Sequence, residues 1–134
     1  MEVKLTRQQV MKLSMHDAVF YSLSLSQNEQ KDLEVVIHIE ISDGLDRGRS
    51  LGKANLTRLI FKDVAIVRTN FYGRIASQDT IDSFEILEKT DLLAEANNWP
   101  SPLSHEAKHY CLKLHSGSVI EIVAEAIFLM ESGR

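Results

Sequence analysis

The sequence predicts a mainly β fold: an antiparallel β-sandwich or partly open barrel with one or two short helices. Three observations carry that prediction. Apolar and polar residues alternate with period two through several segments, as in strands with one buried face. At least five such segments follow one another with little helix-period sequence between them, which favours antiparallel pairing over the parallel sheet of an α/β protein. Near the C-terminus, Tyr110-Cys111-Leu112-Lys113-Leu114-His115 and Val119-Ile120-Glu121-Ile122-Val123-Ala124 flank a Ser116-Gly117-Ser118 break, the pattern of a hairpin.

The elements follow in order. Thr6-Arg7-Gln8-Gln9 has capping-box spacing and predicts a short helix over residues 7–14. Val19, Tyr21, Leu23 and Leu25 then alternate with Phe20, Ser22, Ser24 and Ser26, and Leu33, Val35, Ile37, Ile39 and Ile41 continue the pattern after a polar turn. Pairing Leu25 with Leu33, Leu23 with Val35, Tyr21 with Ile37 and Val19 with Ile39 places one apolar stripe on one face. Residues 43–55, with three glycines and five charged residues, read as a loop. A third strand is predicted over 56–67, with a bulge or bend where the alternation slips at Asp63-Val64. Residues 70–79 read as a turn and 81–88 as a strand with Phe84 and Ile86 on one side. Asp91 is placed as the N-cap of one or two helical turns over 91–97, which Asn97-Asn98-Trp99-Pro100-Ser101-Pro102 brings to an end. For the last hairpin a three-residue loop, 116–118, keeps the apolar faces together and sets Leu114 opposite Ile120, Leu112 opposite Ile122 and Lys113 opposite Glu121. Such loops prefer glycine last, whereas Gly117 is in the middle of this one.

Composition bounds the function. A chain of 134 residues fits a single domain, expected over 1–134, whose core needs no disulfide or metal staple. Apolar residues at 44% and charged residues at 25% are ordinary globular usage. The formal charge of −4 argues against a nucleic-acid partner, which demands a concentrated basic face. The longest apolar run, residues 126–130, falls far short of the roughly 20 residues that span a bilayer, so no membrane association is expected. The single Cys111 excludes an internal disulfide, and with no apolar leader after Met1 the expected location is cytoplasmic.

One motif carries explicit chemistry. His105-Glu106-Ala107-Lys108-His109 matches H-E-x-x-H, in which helical i, i+4 spacing brings two imidazoles to one zinc ion. On a strand the same residues stand about 13 Å apart and cannot share an ion. The strand pattern that begins at His109 or Tyr110, with Pro100 and Pro102 just upstream, favours an accidental match within a polar turn. His109, Cys111, Lys113 and His115 project to one side of the same strand, which suggests a thiol among basic groups. Without an oxyanion turn beside Cys111, they read as a solvent-facing stripe. Residues 48–54 lack the spacing and frame of a phosphate loop. Arg47, Arg49 and Lys53 there read as loop solvation. Glu34, His38 and Glu40 share a polar strand face but are spread along it. Trp99 reads as a plug at one end of the core.

Met15-His16-Asp17-Ala18 before a strand, Leu59-Ile60-Phe61-Lys62-Asp63-Val64 in the middle, and Tyr110-x-Leu112-x-Leu114-x-Ser116-Gly117 leading to Ile120, Ile122 and Ala124 form a layout. It resembles a group of small, mostly β bacterial proteins, some of them predicted immunity proteins that neutralise toxins. The resemblance implies a protein partner and no catalytic set. His16-Asp17 reads as structural, because adjacent residues on a strand point to opposite faces.

The expected function is therefore a non-enzymatic protein-binding module, of the immunity type, that occludes another protein with a sheet face or the 43–55 loop. No catalytic, cofactor-binding or metal-ligating residue is assigned and no cofactor is expected. The alternatives are a metal-dependent hydrolase using His105 and His109, and a small-ligand-binding barrel. A homodimer is as well supported as a monomer, because open sheets leave edge strands to be covered.

Overall fold

The two longest strands, Asn55–Asn70 and Val119–Glu131, pair antiparallel from Thr57 opposite Glu131 to Asn70 opposite Val119. The computed structural model describes residues 2–13, 15–41, 55–71, 79–98 and 106–131. In chain order its elements are β1 (Val3–Lys4), α1 (Arg7–Met11), β2 (Val19–Gln27), β3 (Leu33–Ile41), β4 (Asn55–Asn70), β5 (Ile81–Leu87), α2 (Asp91–Asn97), β6 (Lys108–Leu114) and β7 (Val119–Glu131). They form one antiparallel sheet in the order β2-β3-β4-β7-β6-β5, with β1 pairing the stretch of β7 beyond the reach of β6. The sheet stays open, and its end strands β2 and β5 touch only through the Val19–Thr80 bridge. The predicted class, mainly β with two short helices, is the observed one. Among the described residues no helix is long and apolar enough to cross a membrane.

Alternation explains the core. Val35, Ile37 and Ile39 of β3, Leu59 and Phe61 of β4, and Ile120, Ile122 and Ile127 of β7 face inward, none more than 2% exposed. Tyr110 meets Phe61 edge-on and stacks on Phe84. Val10 of α1, with Met15 and Ala18, joins the same cluster. Asp63, at φ 54°, is the predicted slip, and it has a structural consequence. Phe61 and Val64 both reach the inner core although an odd number of residues separates them, so the face of the strand changes at the bend. Beyond it, Ala65 and Ile66 pack with Val123 against Leu92 and Ala96 of α2, a second, outer cluster.

Both hairpin registers differ from expectation by two residues, which preserves the faces. In the last hairpin Leu112 lies opposite Ile120, Cys111 opposite Glu121 and Lys113 opposite Val119. The loop is still three residues, but it is His115-Ser116-Gly117, closed by Leu114 N–H to Ser118 C=O at 2.9 Å. This puts the glycine last, at φ 96°, where a left-handed residue is required. In the first hairpin Leu25 lies opposite Val35 and Leu23 opposite Ile37. Asn28 closes that turn through its side chain, Oδ1 accepting from Asp32 N–H at 2.9 Å, and a bulge next to Tyr21 turns Phe20 inward.

Two cap assignments also resolve. The Thr6–Gln9 capping box is present, although α1 ends at Met11. Thr90, not Asp91, is the N-cap of α2, with Asp91 in the first turn where a negative charge suits the helix dipole. The two-residue β1 has no alternation to announce it. Trp99, Pro100 and Pro102, the phosphate-loop-like stretch 48–54 and nearly all of the 43–55 loop lie outside the described residues.

Because Ile122 is 2% exposed in the inner core, Ile122→Ala is expected to lower unfolding free energy by about 2–5 kcal/mol in urea titration. A loss below about 1 kcal/mol would mean that this face is not core.

Candidate functional site

His109 belongs to β6, which begins at Lys108, and Glu106 lies in a turn, so no helical turn places His109 for H-E-x-x-H chemistry. His105 lies outside the described residues. His109 is not in a polar turn either: it is 3% exposed and opposite Val123, which α2 covers. Its Nε2 is 2.9 Å from Glu121 Oε1 and its Nδ1 is 2.8 Å from Thr90 Oγ1. An ionised carboxylate only accepts, so Nε2–H donates to Glu121. In the neutral ring the Thr90 hydroxyl then donates to Nδ1 while its oxygen accepts from Leu93 N–H at 3.1 Å, the helix cap. With both ring nitrogens engaged, His109 ties α2 to the sheet and has no lone pair left for a metal.

The other candidates separate in space. Cys111 is buried between Glu85 and Glu121 on the neighbouring strands. Burial first, and then the Glu121 charge, push its thiol pKa up, opposite to what an activated nucleophile needs. The expected solvent-facing stripe therefore holds only for Lys113 and His115, because β6 is an inner strand whose earlier residues are covered. His38 meets Ser22 Oγ at 3.1 Å, while Glu40 accepts from the Tyr21 hydroxyl, so the polar face of β3 makes local pairs across the strands. The ligand-barrel expectation finds an interior filled by side chains. A cleft of about 360 Å³ does open beside α1, lined by Lys4, Arg7, Lys108, Tyr110 and Glu125 among others.

A different constellation forms where β2 and β5 meet. Residues 15–18 precede β2 and are not strand, so the opposite-faces reading of His16-Asp17 does not apply. Buried Met15 and Ala18 anchor the segment, with Ala18 N–H donating to Met15 C=O. Asp17 adopts φ 69°, a left-handed conformation that Asp tolerates better than most residues, and its N–H donates to Ile81 C=O at 2.8 Å. Asp82, next on β5, and His115, first in the β6–β7 turn, come to the same spot, with His115 N–H bonded to Thr80 C=O at 2.9 Å.

His115 Nε2 is 3.5 Å from Asp17 Oδ1 and 3.7 Å from Asp82 Oδ1, and His16 Nε2 is 3.6 Å from Asp17 Oδ2. The two imidazole centroids are 5.5 Å apart. His16, Asp82 and His115 each offer a ligand atom within 4.8 Å of the others, the one such group among the described residues. His16 Nδ1 lies 3.0 Å from the Asp82 backbone carbonyl. A carbonyl only accepts, so this contact holds the proton on Nδ1 and leaves the Nε2 lone pair for a ligand role. That is the arrangement metal-binding histidines adopt. The same carbonyl, and then the Asp17 carboxylate, raise the His16 pKa above its usual value. Two imidazoles and a carboxylate suit zinc, copper, nickel or iron better than magnesium or calcium.

No family model, curated protein or solved structure matches the chain. The site residues come from three separate parts of the sequence, and no short spacing joins them. Only the contact between β2 and β5 and the placement of the last turn bring them together.

His16 is expected to titrate above 6.5 in the folded protein, read from its imidazole NMR shifts, and Asp17→Asn is expected to lower that value. A raised pKa means the folded state holds this proton more tightly. Its small contribution is complete below 6.5 and lost as pH rises through the folded value. A folded value at or below 6.5 would contradict the geometry.

Proposed function

We propose that the protein is a binding module whose ligand is a divalent transition-metal ion, held by His16, Asp82 and His115 with Asp17 beside them. The observation that carries this reading is the fixed His16 ring, whose Nδ1–H is committed to the Asp82 carbonyl while Nε2 stays free. Zinc bonds of roughly 2.0–2.2 Å put tetrahedral donors about 3.3–3.5 Å apart. The separations of 3.5–3.7 Å already present leave only small adjustments for side chains that are at least 36% exposed. Three protein donors leave one position for water or an exchangeable ligand. The HEAKH-based hydrolase gains no support, because His109 is buried and bonded at both nitrogens.

Calorimetry is expected to show one zinc ion per chain, with no comparable heat for magnesium or calcium. His115→Ala and Asp82→Asn are each expected to weaken binding by more than the roughly 10–100-fold typical of second-sphere losses, whereas His105→Ala leaves it unchanged. Affinity falls as pH drops through the imidazole range, because protons compete for the ligands. Zinc binding that survives His115→Ala and is lost in His105→Ala would sink the assignment.

A second reading, protein binding of the immunity type, is favoured by the outward face of β3, β4 and β7. There Val36, Ile60 and Phe128 form a row across the strands, and Leu56 and Tyr21 at its margin are 44% and 50% exposed. An apolar row of this kind on an outer face suits occlusion of a partner, and the unpaired side of β2 suits strand addition. If a second copy is that partner, light scattering over a wide concentration range shows a mass that doubles, and Leu56→Lys returns it to the monomer. A mass that stays monomeric throughout removes the homodimer.

A further inference from the structure

We infer that the ion acts as a clasp: it locks the seam where the two end strands of the curled sheet meet, so that metal occupancy sets how readily β2 and β5 separate. The inference rests on the metal reading above and concerns what that site does.

The seam is short for a geometric reason. β2 and β5 meet antiparallel at Val19 and Thr80, near the start of both strands. From that point they run in opposite directions, so only residues 17–20 can face 79–82. Three backbone bonds cross there: Asp17 N–H to Ile81 C=O at 2.8 Å, Ile81 N–H to Ala18 C=O at 2.9 Å, and Phe20 N–H to Asp79 C=O at 2.8 Å. A contact of this size contrasts with the full-length pairing of β4 and β7. The seam also carries an energetic fault. Among the described residues, Asp79 Oδ2 is the one buried side-chain oxygen with no hydrogen-bond partner, and such a group opposes burial.

The candidate ligands straddle this contact. His16 and Asp17 lead into β2, Asp82 belongs to β5, and His115 opens the β6–β7 turn that is itself bonded to Thr80. The side-chain links that cross the seam now are exposed: His16 to the Asp82 carbonyl, and Asp17 and Asp82 to His115. Exposed pairs of this sort hold weakly and are screened by salt. Coordination bonds to one ion would join all three segments at once, and the seam could not open without releasing it. Binding to the closed form alone then suppresses opening by the factor 1 + [L]/Kd.

The test is residue-resolved hydrogen exchange on the full chain, with and without zinc alone, in parallel with calorimetry. At a free zinc concentration of about one hundred times Kd, the amides of Asp17, Phe20, Ile81 and His115 are expected to exchange about 100-fold more slowly. The amides of Asn28 and Lys31, in the distant β2–β3 turn, are expected not to change. The wild-type chain supplies both arms, so the result does not depend on a variant that folds. Asp82→Asn, checked for fold by circular dichroism, is expected to lose both the zinc heat and the protection. Zinc binding without slower seam exchange would overturn the clasp and leave the metal site standing. No zinc heat at all would overturn the metal reading, and the clasp with it.

Discussion

Everything else in this fold is hung on the pairing of β4 with β7. These strands come from distant parts of the chain, so their register carries a loop-closure cost that only a large apolar return can offset. The return is visible in Leu59, Phe61, Ile120, Ile122 and Ile127, all inward and essentially without solvent contact. With that ribbon in place, β3 pairs with the first half of β4, β6 with the first half of β7, and β1 with its far end. The hairpins β2–β3 and β6–β7 are local and add strands to a frame that is not.

The bend in β4 decides where the helices go. A straight ribbon would keep one face to the core along its whole length. Asp63 instead lets the chain present Val64 inward and then Ala65 and Ile66 to a second cluster. That outer patch, with Val123, is the bed for Leu92 and Ala96 of α2. Placing α2 there also buries His109, and burial of a polar ring requires partners. Thr90, from the helix cap, and Glu121, from β7, supply them. The histidine that looked like half of a zinc motif is thus a bolt between a helix and the sheet.

The same curvature brings the two end strands close enough to touch but not to pair along their length. An open antiparallel sheet of this kind has to dispose of its edges. Here one corner of each edge is used up at Val19 and Thr80, and His16, Asp17, Asp82 and His115 converge on that corner. Polar groups gather there because the apolar interior ends at Ile81 and Ala18, just beneath them. The chemical potential of the molecule lies at its weakest joint, and the two facts have one cause.

What the sequence by itself determined was whatever depends on neighbours along the chain. Alternation gave the strands, their buried faces and the mainly β class; the Thr6–Gln9 box gave α1; the broken alternation at Asp63-Val64 gave the bend. Faces survived even where register did not, since a shift of two residues leaves every side chain on the same side. Register itself was less legible. It depended on turn details, the Asn28 side chain and the left-handed Gly117, that hydrophobic pattern ranks poorly. Tertiary structure alone decided the site. A spacing such as H-E-x-x-H is meaningful only within one element, and Lys108–Leu114 is the wrong element for it. His16, Asp82 and His115 have no spacing to read, because what joins them is the closing of a curled sheet, a property of seven strands together and of no segment alone.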